Sequence, residues 1–365
     1  MKKLFVAIIL VLSLIIFLVV RTYAQKIDYP ALNEIENIES IAKPFMEDSH
    51  SHALSIGIIK NGKTEFYNFG SLTAKNQKAP TPQNIYEIGS ITKTFTASLL
   101  VQMAEEGLVK LDDPISKYLP EGICDLEGDK VITLQDLSSH YSGLPRLASN
   151  FFPTVTDHSN PYLGYNKDHL YEYLKTFKGV AREKRTVDYS NLGVELLGHI
   201  LGLVTEQTLE EMYEERIFKP LEMNNTTITF DKNHLALLAK GHNEMGLITS
   251  NWDFPHFGGA GAIRSTTEDM LKYLQAQFTN ETNAKAHATR LTMGGPTKIG
   301  LGWITTPSQN TGEEIVWHNG GTGGYRSFTG FIKNQNVGVI VLNNTPLSVD
   351  EIGFLVLDFL VSQTK

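Results

Sequence analysis

Cysteine is almost absent from this chain of 365 residues, since only Cys124 is present. One cysteine permits neither an intramolecular disulfide nor a zinc site built on several thiolates, and we interpret it as a small, partly buried residue. Blocks of positive charge are also missing. Lysine and arginine total 32 against 40 aspartates and glutamates, which gives a net charge of −8. Because phosphate contacts need clustered cations, nucleic acid is a poor candidate partner.

Two catalytic signatures are missing as well. The sequence has no G-x-S-x-G motif, which argues against an α/β-hydrolase. It also has no H-E-x-x-H or H-x-H-x-D pattern that would make His50 and His52 part of a metal site. We therefore predict that the protein uses neither a metal nor another cofactor.

A long apolar run is present near the N-terminus. Two lysines precede the run Leu4–Val20, and small residues that suit a cleavage site follow, Ala24 the last of them. This order is typical of a secretory signal peptide. We predict a signal peptide over 1–24, with a membrane tether through residues 4–20 as the alternative. In either case the domain over 25–365 is expected outside the cytoplasmic membrane, in the periplasm or the extracellular space.

Strand-like segments stand near both ends of this domain. Ala53–Lys60 is rich in β-branched residues and is followed by Asn61-Gly62, a strong signal for a two-residue hairpin turn. Gly324–Lys333 and Val337–Asn343 have the same character. Apolar residues at helical spacing precede the first strand and, over residues 349–361, follow the last.

The segment between these strands has mostly helical spacing, punctuated by proline and glycine. We predict helices after Ser90, over Asn191–Thr205, over Leu209–Phe218 and from Ser265 or Thr266. The pattern favours an α+β fold in which one antiparallel sheet is built from both ends of the domain and is flanked by the terminal helices. The predicted sheet lobe spans about 29–78 and 294–365, and the inserted, mainly helical lobe about 79–293.

Ser90-Ile91-Thr92-Lys93 is the first candidate for chemistry. Residues three apart lie on one face of a helix, so the Lys93 ammonium can lie beside the Ser90 hydroxyl. A serine hydroxyl is a weak nucleophile until a base takes its proton. A lysine in a desolvated pocket can become neutral enough to do so.

Two further motifs follow along the chain. Tyr189-Ser190-Asn191 precedes an apolar helix, where the Tyr189 phenol could relay a proton and the Asn191 amide could hold a substrate carbonyl or Lys93. The run His318–Gly324 has four glycines in seven residues beside a strand, which indicates close approach of the backbone to another group.

The three motifs occur in the order of the β-lactamase signature. Together they resemble the serine β-lactamase and penicillin-binding protein superfamily, in particular its class C β-lactamase branch and the related D,D-peptidases. Further segments carry the same resemblance, among them Gly107–Pro114, His140–Pro145 and Gly259-Ala260-Gly261.

The resemblance implies a role for each motif residue. Ser90 would be acylated, and Lys93 and Tyr189 would share the general-base and general-acid roles. Asn191 would orient the acyl side chain of the substrate. The backbone N–H groups of Ser90 and Gly321 would form the oxyanion hole, and the substrate-binding strand would comprise His318, Asn319, Gly320 and Gly321.

This strand departs from the family at two positions. His318 stands where the family most often has lysine, and Asn319 replaces a threonine or serine. Histidine has an ordinary pKa of about 6.5 and is mostly neutral at pH 7. If His318 faces a substrate carboxylate, affinity for acidic substrates should weaken as the pH rises through its pKa. The alternative is that His318 is a spacer beside Trp317 and the glycines.

The resemblance therefore favours β-lactam hydrolysis, with antibiotic resistance as its consequence. A D-alanyl-D-alanine carboxypeptidase, a D-aminopeptidase and a carboxylesterase are the enzymatic alternatives. A non-catalytic penicillin sensor is disfavoured, because a pure binder does not need Ser90, Lys93 and Tyr189 together. The expected partner is a small-molecule or peptide substrate (a β-lactam, a D-amino-acid peptide or an ester), and the protein is expected to be a monomer.

Overall fold

The computed structural model describes residues 27–73 and 78–363. The signal peptide predicted over 1–24 and the tether predicted through 4–20 lie outside the described residues. Within the two described ranges, no helix is both long and apolar enough to cross a lipid bilayer.

An eight-stranded antiparallel sheet contains strands from both ends of the domain, in the order β2-β1-β10-β9-β8-β7-β6-β5. A separate two-stranded sheet pairs β3 with β4. The strands are β1 (Ala53–Lys60), β2 (Lys63–Gly70), β3 (Tyr86–Glu87), β4 (Arg264–Ser265), β5 (Leu291–Gly294), β6 (Thr297–Ile299), β7 (Ile304–Pro307), β8 (Glu314–Gly321), β9 (Arg326–Ile332) and β10 (Val337–Asn343).

The described residues also form ten α-helices. They are α1 (Ile38–Met46), α2 (Thr92–Glu105), α3 (Leu134–Ser138), α4 (Lys167–Thr176), α5 (Asn191–Thr205), α6 (Leu209–Tyr213), α7 (Lys232–Leu237), α8 (Thr267–Thr279), α9 (Glu281–His287) and α10 (Asp350–Ser362). This mixed architecture, with helices inserted between strands contributed by both ends, confirms the predicted α+β class.

The predicted hairpin turn is present between β1 and β2. Asn61 and Gly62 both have positive φ, at 51° and 78°, which is the backbone of the turn type that asparagine–glycine pairs favour. On its other side β1 pairs with β10, where Leu54 lies opposite Asn343. Strands from the two ends of the domain are thus neighbours in the sheet, one strand in from the β2 edge.

Apolar residues are buried on both faces of this sheet. Adjacent residues of β10 point to opposite faces of the sheet, since side chains alternate along a strand. Val341 belongs to the apolar cluster that contains Phe45, on the side of α1 and α10. Ile340 belongs to the cluster that contains Phe95, on the side of the inserted helices.

One predicted helix, over 209–218, changes its winding midway. Helix α6 ends at Tyr213 and continues as a π-helix over Glu214–Phe218. Tyr213 and Phe218 are five residues apart and would point to different sides of an α-helix, whereas the wider turn lets their rings pack 5.8 Å apart. Both rings also contact Phe95 of α2, so burial against that helix accounts for the change.

The small sheet of β3 and β4, which the sequence pattern did not indicate, fixes the start of α2. It pairs Tyr86 with Ser265. The two segments remain in contact next to this pair. Ile88 N donates to Ile263 O at 3.1 Å, and Ile263 N donates to the Thr92 hydroxyl at 3.1 Å. The segment before Ser90 is thereby fixed against the glycine-rich residues that precede β4.

Candidate active site

Ser90 and Lys93 meet at the start of α2. Ser90 lies in a 3-10 turn over Gly89–Ile91 that runs directly into the helix. The Lys93 Nζ donates to the Ser90 Oγ at 2.9 Å and to the Ala260 carbonyl at 2.7 Å. Lys93 is fully buried, so its ammonium has exchanged water for these partners.

This burial changes the acidity of Lys93. Desolvation lowers its pKa to about 7, a shift that nearby Arg146 reinforces and the carboxylate of Glu195 opposes. An ordinary lysine, with a pKa of about 10.4, is charged at neutral pH. Lys93 is instead neutral in a large fraction of molecules at pH 7 and can accept the proton of the Ser90 hydroxyl.

Tyr189 completes the reacting group on the other side of the lysine. Its ring lies 4.9 Å from the Lys93 Nζ, and its phenol hydrogen-bonds with Ser90. Burial raises the pKa of Tyr189 to about 12. The phenol is therefore protonated at neutral pH and can donate a proton or pass one on.

Asn191, the first residue of α5, points its amide toward the cleft beside Ser90. The helix starts here because the Ser190 hydroxyl accepts the Gly193 N–H at 2.9 Å and caps it. The Asn191 Nδ2 donates to the Tyr162 hydroxyl at 3.4 Å. Its Oδ1 is buried without a hydrogen-bond partner among the described residues, so this oxygen is available to a substrate N–H.

The glycines of β8 let the strand approach the 3-10 turn over Gly89–Ile91, here called the nucleophile turn. A Cβ on Gly320 would lie 2.0 Å from the Ile88 carbonyl oxygen, which only glycine avoids. Gly89 has a positive φ of 50°, and a Cβ there would lie 2.6 Å from the Gly321 nitrogen. The backbone of Gly321 is therefore adjacent to the turn that carries Ser90, which is the proximity a two-amide oxyanion hole needs.

His318 does not fit the charged role proposed for it. Its side chain is 1% exposed, and burial together with Lys93 lowers its pKa to about 3. Its Nδ1 lies 2.6 Å from the Asn319 carbonyl oxygen, and its ring is 6.1 Å from that of Tyr189. Burial therefore disfavours the charged form of the ring, which argues against the expected pH-dependent recognition of a carboxylate by His318.

The side chain of Asn319 lies on the opposite face of the sheet. Its Nδ2 donates to a carboxylate oxygen of Asp350, the first residue of α10, at 2.7 Å. Side chains alternate along a strand, so Asn319 cannot face the cleft together with its neighbour His318. The expectation of a substrate-binding side chain at Asn319 is therefore wrong.

Two charged residues that the motifs did not indicate belong to the site. Glu195 lies one turn after Asn191 on α5, and its Oε2 accepts the Gly259 N–H at 2.9 Å. Burial raises its pKa to about 7, and Lys93 opposes that shift. Arg146 packs its guanidinium over the Tyr189 ring, 5.1 Å from the centroid. Glu195 could have been found from the sequence, because it lies four residues after Asn191 on the same helix and therefore on the same face. No sequence pattern indicated Arg146.

A cleft of about 230 Å³ opens above Ser90. Its walls come from the nucleophile turn, the loop after α3, helix α5, the glycine-rich segment before β4 and the end of β8; they include Ser90, Arg146, Tyr162, Asn191, Glu195, Trp252, Gly261 and Gly321. A smaller apolar pocket lined by Leu147, Phe151, Tyr165 and Phe257 adjoins it, and Tyr162, Glu195 and Phe254 line both. The cleft thus suits an acyl group with an apolar portion.

This site defines a serine hydrolase that works through an acyl-enzyme, because a serine beneath a cleft is hydrogen-bonded to a buried, partly neutral lysine. The chain belongs to the Beta-lactamase family, whose family model matches residues 38–353. This result agrees with the resemblance carried by the three motifs.

Two characterised relatives have different activities in their names. The β-lactamase of Pseudomonas fluorescens is 26% identical over 347 residues, which cover 84% of this chain and 92% of that protein. The D-alanyl-D-alanine-carboxypeptidase/endopeptidase AmpH of Escherichia coli is 28% identical over 331 residues, which cover 85% of this chain and 84% of that protein.

Solved structures share the fold. A β-lactamase/D-alanine carboxypeptidase from Yersinia pestis, complexed with citrate, matches with a TM-score of 0.78 and 25% identity over 91% of this chain and 96% of that one. A class C β-lactamase from Rhodobacter sphaeroides matches with a TM-score of 0.77 and 21% identity over 90% of this chain and 99% of that one. The second likeness concerns the fold alone.

Proposed function

We propose that this serine hydrolase opens β-lactam rings through an acyl-enzyme on Ser90. The observation that carries the proposal is the 2.9 Å contact between the Ser90 Oγ and a lysine whose pKa burial lowers to about 7. The sequence similarity to a β-lactamase, over 92% of that relative's length, supports β-lactams as the substrate class.

In the acylation step, the Ser90 Oγ attacks the carbonyl carbon while its proton passes to neutral Lys93. The N–H groups of Ser90 and Gly321 stabilise the negative oxygen that forms. When the carbon–nitrogen bond breaks, the nitrogen takes a proton from the Tyr189 hydroxyl, which is replenished from Lys93. Tyr189 suits this donor role because its pKa, raised to about 12, keeps it protonated.

Hydrolysis of the acyl-enzyme uses the same groups in reverse. A water molecule loses a proton toward neutral Lys93 as its oxygen attacks the ester carbonyl. The bond between the acyl carbon and the Ser90 Oγ then breaks, and the serine oxygen regains a proton. The Asn191 amide would hold the acyl side chain in place through both steps, since Asn191 lines the cleft and its Oδ1 has no hydrogen-bond partner among the described residues.

A D-alanyl-D-alanine carboxypeptidase is the second candidate. The same acyl-enzyme chemistry would cleave a peptide bond, and the relative AmpH, whose name includes this activity, is matched over 84% of its length.

Labelling tests the acyl-enzyme directly. The protein is incubated with a fluorescent penicillin or a fluorophosphonate, and the adduct is mapped by mass spectrometry. We expect the adduct on Ser90, its loss in Ser90→Ala and its persistence in Ser98→Ala, a serine on the same helix that bonds Tyr273. An adduct on another serine would contradict the proposal.

Turnover then separates the substrate classes. A chromogenic cephalosporin, a D-alanyl-D-alanine peptide and a short-chain nitrophenyl ester are assayed in parallel with the Ser90→Ala protein as blank. Fast cephalosporin turnover supports the β-lactamase, and peptide turnover alone supports the carboxypeptidase. Ester turnover alone supports a carboxylesterase, and labelling without turnover supports a penicillin sensor.

We further propose that the domain is exported, acts as a monomer and protects cells against β-lactams. The apolar run over 4–20 supports export. Fractionation of cells, size-exclusion chromatography and the penicillin tolerance of cells that express wild-type or Ser90→Ala protein test the three statements in turn.

A further inference from the structure

Arg146 is an exposed cation at the wall of the cleft. Its guanidinium lies over the ring of Tyr189, and within residues 27–73 and 78–363 it has neither an ion pair nor a side-chain hydrogen bond. Five N–H donors in a planar fork are therefore unused beside the nucleophile. This fork matches a carboxylate in geometry and charge.

The remaining titratable groups around the cleft oppose one another in charge or are neutral. Lys93 and Glu195 have charges of opposite sign, and burial lowers the pKa of the lysine and raises the pKa of the carboxyl group, so the charge of each is disfavoured in the same environment. His140 and His318 are buried with pKa values lowered well below the usual range, so both are neutral.

The two tyrosines at the cleft are neutral as well. Burial raises the pKa of Tyr162 and of Tyr189 to about 12. Arg146 is consequently a cation of the cleft wall that has no ion pair among the described residues. A cation of this kind at the wall of a cleft favours an anionic ligand.

A second donor without an acceptor belongs to another residue of the cleft wall. The indole Nε1 of Trp252 is buried without an acceptor among the residues that the structure describes, and Trp252 lines the cleft together with Arg146. An N–H without an acceptor costs free energy that a ligand oxygen would recover. Together with the guanidinium of Arg146, this donor favours a ligand that carries oxygen atoms.

The backbone around Arg146 shows which part of the substrate it meets. Its carbonyl oxygen accepts the N–H groups of Asn191 and Leu192, each at 3.1 Å, so Arg146 is fixed at the N-terminal end of α5. Asn191 is the residue proposed to orient the acyl portion, and the next residue, Leu147, lines both the cleft and the apolar pocket. The guanidinium thus stands on the acyl side.

We propose that Arg146 binds a carboxylate on the acyl portion of the substrate, a preference that rests on the proposed acyl-enzyme function. The natural substrate is then an amide, lactam or ester whose acyl group bears a carboxylate a few atoms from the scissile carbonyl. Arg146 sets this specificity by charge and fork geometry, in place of the strand cation that His318 does not supply.

Two nitrophenyl esters of equal acyl length test the inference. The mono-4-nitrophenyl ester of glutaric acid carries a carboxylate, and 4-nitrophenyl valerate does not. The quantity measured is the ratio of kcat/KM for the glutarate ester to that for the valerate ester. We expect Arg146→Ala to lower this ratio about 10- to 100-fold, the range for a hydrogen bond to a charged group, and Arg146→Lys to retain part of it.

Lys63→Ala is the matched control, because it removes the same charge from an exposed residue of β2. It should leave the ratio unchanged. An unchanged ratio in Arg146→Ala, or an equal fall in Lys63→Ala, would overturn the inference.

A binding measurement keeps the inference separate from the catalytic proposal. The dissociation constants of both esters are measured on Ser90→Ala and on Ser90→Ala with Arg146→Ala. Tighter binding of the glutarate ester only when Arg146 is present supports the inference, even if Ser90 fails to be labelled and the acyl-enzyme proposal falls. Equal binding by the two proteins contradicts it, even if Ser90 is labelled.

Discussion

Lys93 and Glu195 are held by opposite groups of one short segment: the Ala260 carbonyl accepts from the Lys93 Nζ at 2.7 Å, and the Gly259 N–H donates to the Glu195 Oε2 at 2.9 Å. A base candidate and a carboxylate therefore share one buried environment. Each alters the proton affinity of the other, because Glu195 raises the pKa of Lys93 and Lys93 lowers that of Glu195.

Glu195→Gln should move the acid limb of the pH profile to lower pH. Removal of the carboxylate removes the interaction that raises the pKa of Lys93, so the lysine loses its proton more readily. If neutral Lys93 is the active form, activity then persists at lower pH than in the wild type. The measurement is kcat/KM against pH for a neutral ester, where the acid limb reports the free enzyme.

Glu206→Gln serves as the control for this change, since Glu206 is exposed at the other end of the same helix. It should leave the limb in place. A limb that stays fixed, or moves to higher pH, in Glu195→Gln would show that this carboxylate does not set the protonation of Lys93.

Lys93→Ala and Tyr189→Phe should each lower turnover by about 100-fold or more, the usual scale of general acid–base catalysis. Both groups contact Ser90 and serve one proton path, so the double variant should lose less than the product of the single losses. Steady-state kinetics of the three proteins gives the comparison. Tyr67→Phe is the control, because Tyr67 lies on β2 and its hydroxyl donates to the Glu65 carboxylate; this variant should turn over substrate at the wild-type rate. Near wild-type rates in Lys93→Ala or Tyr189→Phe would refute the assignment.

Gly320→Ala should destabilise the protein by about 1–3 kcal/mol or more, as overpacking does, and should also slow acylation. The added methyl group would lie 2.0 Å from the Ile88 carbonyl, so β8 must move away from the nucleophile turn. Urea unfolding and the rate of penicillin labelling are measured together. Gly122→Ala is the control: φ is 78° there and nothing lies within 4 Å of a Cβ, so this variant gives the cost of backbone strain alone. Acylation at the wild-type rate in Gly320→Ala would disprove the close-approach argument.

The free energy of unfolding should fall as the pH drops from about 6.5 toward 4. His287 is buried, its pKa is lowered to about 3 and its Nε2 hydrogen-bonds Gln277. Since an unfolded histidine protonates near 6.5, the unfolded state binds more protons over this range, and the folded state loses stability as the medium becomes acidic. Each such histidine contributes up to about 1.4 kcal/mol per pH unit.

His287→Gln removes this titration and keeps a donor for Gln277. Its unfolding free energy, measured by urea titration at several pH values, should depend less steeply on pH than that of the wild type. His158→Gln changes an exposed histidine and should keep the wild-type slope. Identical slopes in all three proteins would rule out buried His287 as a source of the acid sensitivity.

Local sequence signals predicted the features that depend on neighbouring residues. Asn61-Gly62 predicted the hairpin turn, and the serine before Asn191 predicted the start of α5, because turn and cap preferences act within a few residues. The Ser90–Lys93 contact was predictable for the same reason, since the two residues are one helical turn apart.

Contacts between distant segments were not predictable in this way. Glu195 meets Lys93 only because the backbone at Gly259 and Ala260 passes between their helices. Arg146 reaches Tyr189 because the loop after α3 packs on α5. The orientation of Asn319, by contrast, was within reach, because strand alternation already sets it opposite to His318.

The pairing of Leu54 with Asn343 has a consequence for the time at which the protein becomes reactive. A chain still attached to the ribosome contains Ser90 and Lys93 long before it contains β10. Until that strand pairs with β1 and β9, no complete sheet holds Gly321 against the nucleophile turn. Pairing over so long a stretch of chain is slow, so an unfolded chain carries its nucleophile in an unreactive form, and reactivity begins only when the C-terminal strands have joined the sheet.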